Sequence, residues 1–255
     1  MTAKTHGVPV ELSGVHKSYG DHAVLSGVDL RIEAGALVAI VGQSGTGKSV
    51  LLRQIIGLEK RDAGRIVVGG IELERYLAIP PEEKPFRMAM VFQNAALLAS
   101  LTVAENVSLR LRERRRHDSR EIAEITRRVL QQVDLAGTED KLPGELSGGM
   151  RKRVAIARAL AIEPELILYD EPTADLDPIL TVEIGRLITR ISEARGATQI
   201  IVTHNLPLAR HLASRIAVLD RGRIGEYSTP EELVKSNNPL TREFLRAAAL
   251  EMEGH

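Results

Sequence analysis

The eight residues GQSGTGKS at positions 42–49 lie between the apolar run LVAIV and the helix-forming run KSVLLRQIIGL, and they constrain the chain more than any other feature. A strand, a glycine-rich turn and a helix in that order form a loop that cradles phosphate. Gly42, Gly45 and Gly47 permit the turns that bring successive amides, through Gln43, Ser44 and Thr46, against phosphate oxygens. The helix start that follows already favours anions. Lys48 is expected to reach the β- and γ-phosphates of a nucleotide, with the hydroxyl of Ser49 on Mg2+ and Val50 beside them. An ordinary glycine turn would need neither the strand nor the helix.

Around that loop the hydrophobic pattern changes period twice. VPVELSGVHKSY, VDLRIEAGALVAIVG, GRIVVGGIEL and FRMAMVFQ read as strands divided by glycine bends. Residues 103–133 space their apolar positions by three and four and are rich in charge, the mark of exposed amphipathic helices. ELILYDE, TVEIGRLITRISEARG, TQIIVTHN and RIAVLDRGRI then alternate strand and helix. This predicts an α/β fold: a parallel core containing both ends, with a helical lobe inserted near residues 95–160. We expect one domain over residues 1–255, with a core lobe at about 1–94 and 161–222 and a tail from about 223. YLAIPPEEKPF reads as loop, and the tail as a strand and two short helices capped by Thr229 and by Asn238 or Thr241.

Thirty-four basic residues balance thirty-four acidic ones, so no overall field draws the chain to nucleic acid or to an anionic bilayer. The absence of cysteine excludes disulfides and thiolate chemistry. The first residues lack the apolar core of a secretory signal, and no window is long and apolar enough to span a membrane, so a membrane role would need another chain as anchor.

A phosphate loop alone is compatible with GTPases, kinases, helicases and transport ATPases. LILYDE places two acids at a strand end: Asp170 to hold Mg2+, directly or through water, and Glu171 to polarise an attacking water. IIVTHN ends another strand in His204, placed to contact a γ-phosphate.

The fragment ELSGGM resembles the signature of ATP-binding cassette (ABC) ATPases, usually LSGGQ. The order of motifs is similar too: Tyr19 in KSYG as an adenine-stacking ring, residues 42–49 as Walker A, Gln93 in VFQN as the Q-loop, the signature, LILYDE as Walker B, ADLD as the D-loop, and His204. The resemblance implies a RecA-like parallel core with an N-terminal antiparallel β subdomain, and hydrolysis of ATP with Mg2+. It implies Gln93, Glu171 and His204 as the catalytic set, Ser49, Gln93 and Asp170 around the metal, and Asp177 among the nucleotide contacts. In that family two cassettes pack head to tail, so Ser147, Gly148 and Gly149 would face a nucleotide held by a second copy, and the working unit would be a homodimer.

Two positions depart from the pattern. Met150 replaces the usual Gln, and Asp175 stands where a small residue is commoner, adding negative charge near the expected dimer seam. Arg151, Lys152 and Arg153 crowd a helix start that disfavours cations, and need a compensating acid or anion unless they form a solvated face. GQSGTGKSVLLRQIIGL, VFQNAALLASLTVAENVSLRLRE, PGELSGGMRKRVAIARAL and YDEPTADLDPI are most similar to the ATPases of Mla-type, MCE-associated phospholipid transporters, although Ala104 departs from that subgroup's more aromatic pattern. That resemblance implies an integral-membrane permease partner, an MCE-type lipid-binding protein and a place on the cytoplasmic face of a bacterial inner membrane. The apolar residues 94–107 are either core or, as the family geometry favours, a face for the permease, and the basic cluster at 112–117 is either a contact with lipid headgroups or a solvated face. An ABC ATPase for another cargo, and a soluble one acting on nucleic acid or ribosomes, are the alternatives; no direct nucleic-acid contact is expected.

Overall fold

The computed structural model describes residues 7–114, 117–239 and 241–246. Strands β1 (Val10–Tyr19) and β2 (His22–Ile32) form an antiparallel hairpin, and β3 (Leu37–Val41) leads into helix α1 (Lys48–Ile55). Strands β4 (Ala63–Val68) and β5 (Ile71–Glu72), helix α2 (Leu73–Ala78) and strand β6 (Met88–Val91) follow. Three helices come next: α3 (Val103–Arg114), α4 (Ser119–Gln132) and α5 (Gly148–Ala161). The chain then makes β7 (Leu166–Asp170), α6 (Pro178–Arg195), β8 (Thr198–Thr203), α7 (Leu206–Leu212), β9 (Arg215–Asp220), β10 (Arg223–Ser228) and α8 (Pro230–Val234). Residues 241–246 are again helical, their start capped by Asn238.

The strands divide into two sheets. One is antiparallel, in the order β2-β1-β4-β5; the other runs β10-β9-β3-β8-β7-β6, parallel except for its edge strand β10. β3 is buried along its whole length, as a central parallel strand covered on both faces should be. Its alternate residues serve different cores: Val38 and Ile40 pack with α1 and the antiparallel sheet, while Leu37, Ala39 and Val41 pack toward α5, α6 and α7. The parallel strands end on one side of the sheet, and the loops leaving β3, β6, β7 and β8 there carry the residues of interest.

α4 forms where the sequence asks for it. Asp118 and Glu121 make a reciprocal capping box, and Thr126, Val129 and Leu130 lie buried on one face. α2 was not legible: the stretch read as loop begins inside this helix, whose residues Leu73 and Tyr76 are buried. Tertiary contact holds it, the Tyr76 ring stacking on Phe86 at 4.5 Å while its hydroxyl donates to Phe86 O at 2.8 Å. α7 likewise lay hidden in NLPLARHL, started by the Asn205 side chain, which accepts from Leu208 N.

Residues 94–107 divide between the two readings: Ala95, Val103 and Val107 are core, while Ala96, Leu98 and Ala99 are exposed. The apolar groove lies elsewhere, between α1, α2 and α3, where Leu58 and Leu77 are exposed beside Ile56, Tyr76, Pro81, Met88 and Arg110 around about 430 Å³. The basic cluster at 112–117 falls partly outside the described residues, at 115 and 116. Among the described residues no helix is long and apolar enough to cross a membrane.

Candidate functional site

The loop between β3 and α1 is shaped by what cannot fit beside it. A Cβ on Gly42 would meet Leu219 O at 2.2 Å, and one on Gly47 (φ 97°) would meet the Val24 side chain at 2.8 Å. Gly45 (φ 81°) is different: nothing lies within 4 Å of its absent Cβ, so its backbone faces open space. α1 starts at Gly47 with no side-chain cap and no acid in its first turn, leaving its N-terminal amides to an outside acceptor. Lys48 folds back into the loop and donates to Gly42 O and Gln43 O, both at 2.9 Å. Burial lowers the pKa of its ammonium, opposed by the nearby carboxylates of Glu171 and Asp170.

Those carboxylates come from the end of β7. Asp170 Oδ1 accepts from Ser49 Oγ at 2.6 Å, joining the strand to the loop 121 residues earlier in the chain. Glu171 is buried and left-handed (φ 45°), held by its amide on Val202 O at 2.9 Å. A non-glycine residue keeps that conformation only where its surroundings enforce it, as they often do at functional sites. Its carboxylate contacts His204 Nδ1 at 3.0 Å. Gln93, Glu171, His204, Lys48, Ser49, Val50, Ser44, Gly45 and Gly47 line one open cavity of about 400 Å³, with Val24 also in its wall. Gly42, Gln43 and Thr46 line an adjoining cleft of about 330 Å³ that also reaches His22 and Phe244.

The remaining expected residues lie apart. Tyr19 is half exposed at the end of β1, its hydroxyl bonded to Glu59 and the Lys17 ammonium 5.2 Å from its ring centre; it lines neither cavity. Ser147 caps α5, its Oγ accepting from Met150 N at 3.2 Å, with Gly148 and Gly149 in the first turn. Gly149 is close-packed on Leu180, 3.3 Å from its absent Cβ. Asp177 caps α6 by accepting from Leu180 N at 2.9 Å. None of these four lines the cavity that holds Lys48.

The three cations that follow the signature divide between the two readings: Arg153 alone finds acids, Arg151 is exposed, and Lys152 is buried on a carbonyl. Arg151 donates to Leu146 O at 2.6 Å, and Arg153 pairs with Asp134 and Glu183, both at 2.9 Å. Lys152 is buried and donates to Gln93 O. Sequence reasoning missed that contact and the one made by Arg158, which donates to Ala95 O and Ala96 O at 2.7 and 2.6 Å. The burial of a long cation among apolar neighbours was the available signal.

The sequence profile of the ABC transporter family matches residues 25–174. The chain is 39% identical over 239 residues to the probable ribonucleotide transport ATP-binding protein mkl of Mycobacterium leprae, covering 94% of this chain and 69% of that one. It is 39% identical over 254 residues to the chloroplastic protein trigalactosyldiacylglycerol 3 of Arabidopsis thaliana, covering 93% and 73%. To the glutamine transport ATP-binding protein GlnQ of Escherichia coli it is 40% identical over 241 residues, covering 93% and 98%. The fold is similar to the dimeric post-hydrolysis structure of the ATP-binding cassette MJ0796 bound to ADP and Pi, with a TM-score of 0.77, 33% identity and coverage of 87% and 98%.

Proposed function

The chain belongs to the ABC transporter family and is an ATP-hydrolysing subunit of it, and from that premise we propose that it powers the movement of phospholipid or a related lipid through a bacterial envelope. The observation that carries the catalytic half of this reading is the convergence of Lys48, Ser49, Gln93, Glu171 and His204 on one cavity. ATP laid over the loop places its phosphates against the amides around Gly45 and draws Lys48 from the Gly42 and Gln43 carbonyls onto phosphate oxygens. Glu171 then accepts a proton from the water that attacks the γ-phosphorus, giving ADP and phosphate. His204, with Nδ1 on Glu171, fixes the direction of that carboxylate.

Ser49 Oγ and Asp170 Oδ1 stand together, and Gln93 lines the same cavity. A hydroxyl, a carboxylate and an amide carbonyl are hard oxygen donors of the kind that hold Mg2+ while phosphates and water complete its shell, so the residues fit that ion. When bound, Mg2+ neutralises charge on the β- and γ-oxygens. Tyr19 offers ring surface to the adenine, its hydroxyl being bonded to Glu59. Ser147 and Gly149 serve the nucleotide of a second copy, a reading supported by the dimeric form of the similar cassette. The groove beside Leu58 and Leu77 receives the membrane-spanning partner, through which the subunit sits at the cytoplasmic face of the inner membrane.

Support for a lipid cargo is the subgroup pattern of the motifs and the likeness to the Arabidopsis protein, whose name is that of a glycerolipid. The likeness to GlnQ, which extends over 98% of that chain, favours a second reading, an importer of a polar solute. Affinity purification of Glu171→Gln from gently solubilised native membranes, with mass spectrometry of proteins and lipids, separates them. A permease with an MCE-type protein and bound phospholipid is the expected result. A permease with a solute-binding protein and no lipid would overturn the lipid reading and leave the ATPase.

A further inference from the structure

Gln93 follows β6 and opens a loop whose backbone is held from another part of the molecule. Lys152 donates to the carbonyl of Gln93, and Arg158 forks onto the next turn, Nη2 to Ala95 O at 2.7 Å and Nη1 to Ala96 O at 2.6 Å. Both cations belong to α5, the helix that Ser147 caps. Ala95 (φ 57°) and Ala96 (φ 47°) are consecutive left-handed residues, a conformation alanine avoids and keeps only under fixed restraint. Lys152 is 7% exposed, and an ammonium so placed needs a defined acceptor. Burial lowers the pKa of its ammonium, opposed in smaller part by the carboxylates of Asp175 and Glu171.

We propose that Lys152 and Arg158 are positioning residues for Gln93, fixing the strained turn behind it so that its amide meets the Mg2+ bound with ATP, and tying that reach to the helix that carries the signature. The inference rests on the reading of Gln93 as a metal ligand. Its consequence is structural: the helix that Ser147 caps and the turn that carries Gln93 are joined through these two side chains.

The test uses Mn2+ as a paramagnetic stand-in, titrated by electron paramagnetic resonance into the full-length Glu171→Gln protein saturated with ATP, so that turnover does not enter. Hydrogen exchange of the amides of residues 94–98 is followed in parallel. Arg158→Ala is expected to speed that exchange and to weaken Mn2+ binding about ten-fold, the effect of losing charge-assisted bonds at a positioned group. Arg158→Lys, which keeps the charge but not the fork, should weaken it less, and Lys152→Gln should lie between. In a Gln93→Ala background none of these changes should alter Mn2+ affinity further. Faster exchange with unchanged Mn2+ affinity overturns the proposal and leaves a purely structural clamp. Unchanged Mn2+ affinity in Gln93→Ala alone overturns the ligand reading instead. Should Arg158→Ala not fold, Arg158→Lys and Lys152→Gln decide on the same measurement.

Discussion

Glu171 and His204 meet at 3.0 Å, Oε1 to Nδ1, although they stand 33 positions apart with helix α6 and strand β8 between them. Glu171 is buried and left-handed, so its carboxylate has one direction in which to act. Glu171→Gln keeps that shape and removes the base. Phosphate release should fall about a thousand-fold, within the range typical of a lost general base, while ATP affinity stays within about three-fold. His204→Ala should lower turnover less, by roughly ten-fold, since it removes an orienting hydrogen bond and no base.

Lys48 separates binding from folding. Its ammonium is buried and desolvated, and one of the two carbonyls it satisfies does not depend on it alone, because Gln43 O also accepts from Thr46 Oγ1 at 2.9 Å. Lys48→Met relieves the cost of burying an ammonium, which offsets part of the loss of its bonds to the loop. Lys48→Met should therefore keep Tm within about 4 °C in thermal unfolding, yet weaken ATP binding about a hundred-fold in a nucleotide titration, the worth of two charge-assisted bonds to phosphate.

The glycines of the loop should fail in different ways. Gly42→Ala drives a Cβ to 2.2 Å from Leu219 O, a backbone atom of β9 that cannot swing aside, and should destabilise the fold by about 2 kcal/mol or more. Gly45→Ala meets no neighbour and pays only for its left-handed backbone, roughly 1 kcal/mol. Its methyl occupies the space where phosphate should lie. Denaturant titrations should thus rank Gly42→Ala as the less stable variant, and nucleotide binding by the folded fraction should rank Gly45→Ala as the weaker.

The parallel core was legible because β3 and β7 are apolar runs, and β8 has an apolar centre, that end in chemistry: a glycine loop after Val41, acids at Asp170 and Glu171, and a histidine one residue past Thr203. What stayed hidden depends on contacts distant in sequence. α2 has no side-chain cap hydrogen bond and exists because Tyr76 finds Phe86. The apolar residues 94–107 gave the right composition for an exposed groove but not the side each residue faces, and Val103 and Val107 face inward. The hold of Lys152 and Arg158 on residues 93–96 spans some sixty positions, from 59 to 63, and no local pattern announces it.

Tyr19 is the expected adenine platform, and it is now bonded to Glu59. That hydrogen bond raises the pKa of the phenol and aims the ring toward the loop after α1. Tyr19→Ala should raise the Kd for ATP about five-fold, a typical worth of one aromatic stack, and should leave the hydrolysis rate at saturating ATP within two-fold or so. Glu59→Ala frees the ring and should, if anything, tighten ATP binding. A loss of affinity in Glu59→Ala equal to that in Tyr19→Ala would show that the bond supports the binding conformation.

Asp134 links the helices of the inserted lobe to α6. Its Oδ2 receives Arg190 Nη2 at 2.7 Å and Arg153 Nη1 at 2.9 Å, and Arg153 continues to Glu183 on α6. The hydrogen bond from Arg190, aided by Arg153, holds the carboxyl below its ordinary value of 3.8 against a smaller opposing effect of burial. A depressed carboxyl pKa stabilises the fold at pH values above that of the unfolded chain, and the contribution disappears as pH falls through the folded value. Asp134 is left-handed (φ 60°), which Asn tolerates, so Asp134→Asn removes charge with little backbone strain. At pH 7 the variant should melt lower by about 1–4 °C, the modest worth of a half-exposed ion-pair network. The difference should shrink as pH falls below 4 or so and vanish once the wild-type carboxyl is protonated. High salt should shrink it as well, because these charges are only partly shielded from solvent. A deficit that persisted in acid and in salt would assign the destabilisation to lost packing at the end of α4, and the charge network would then contribute nothing measurable.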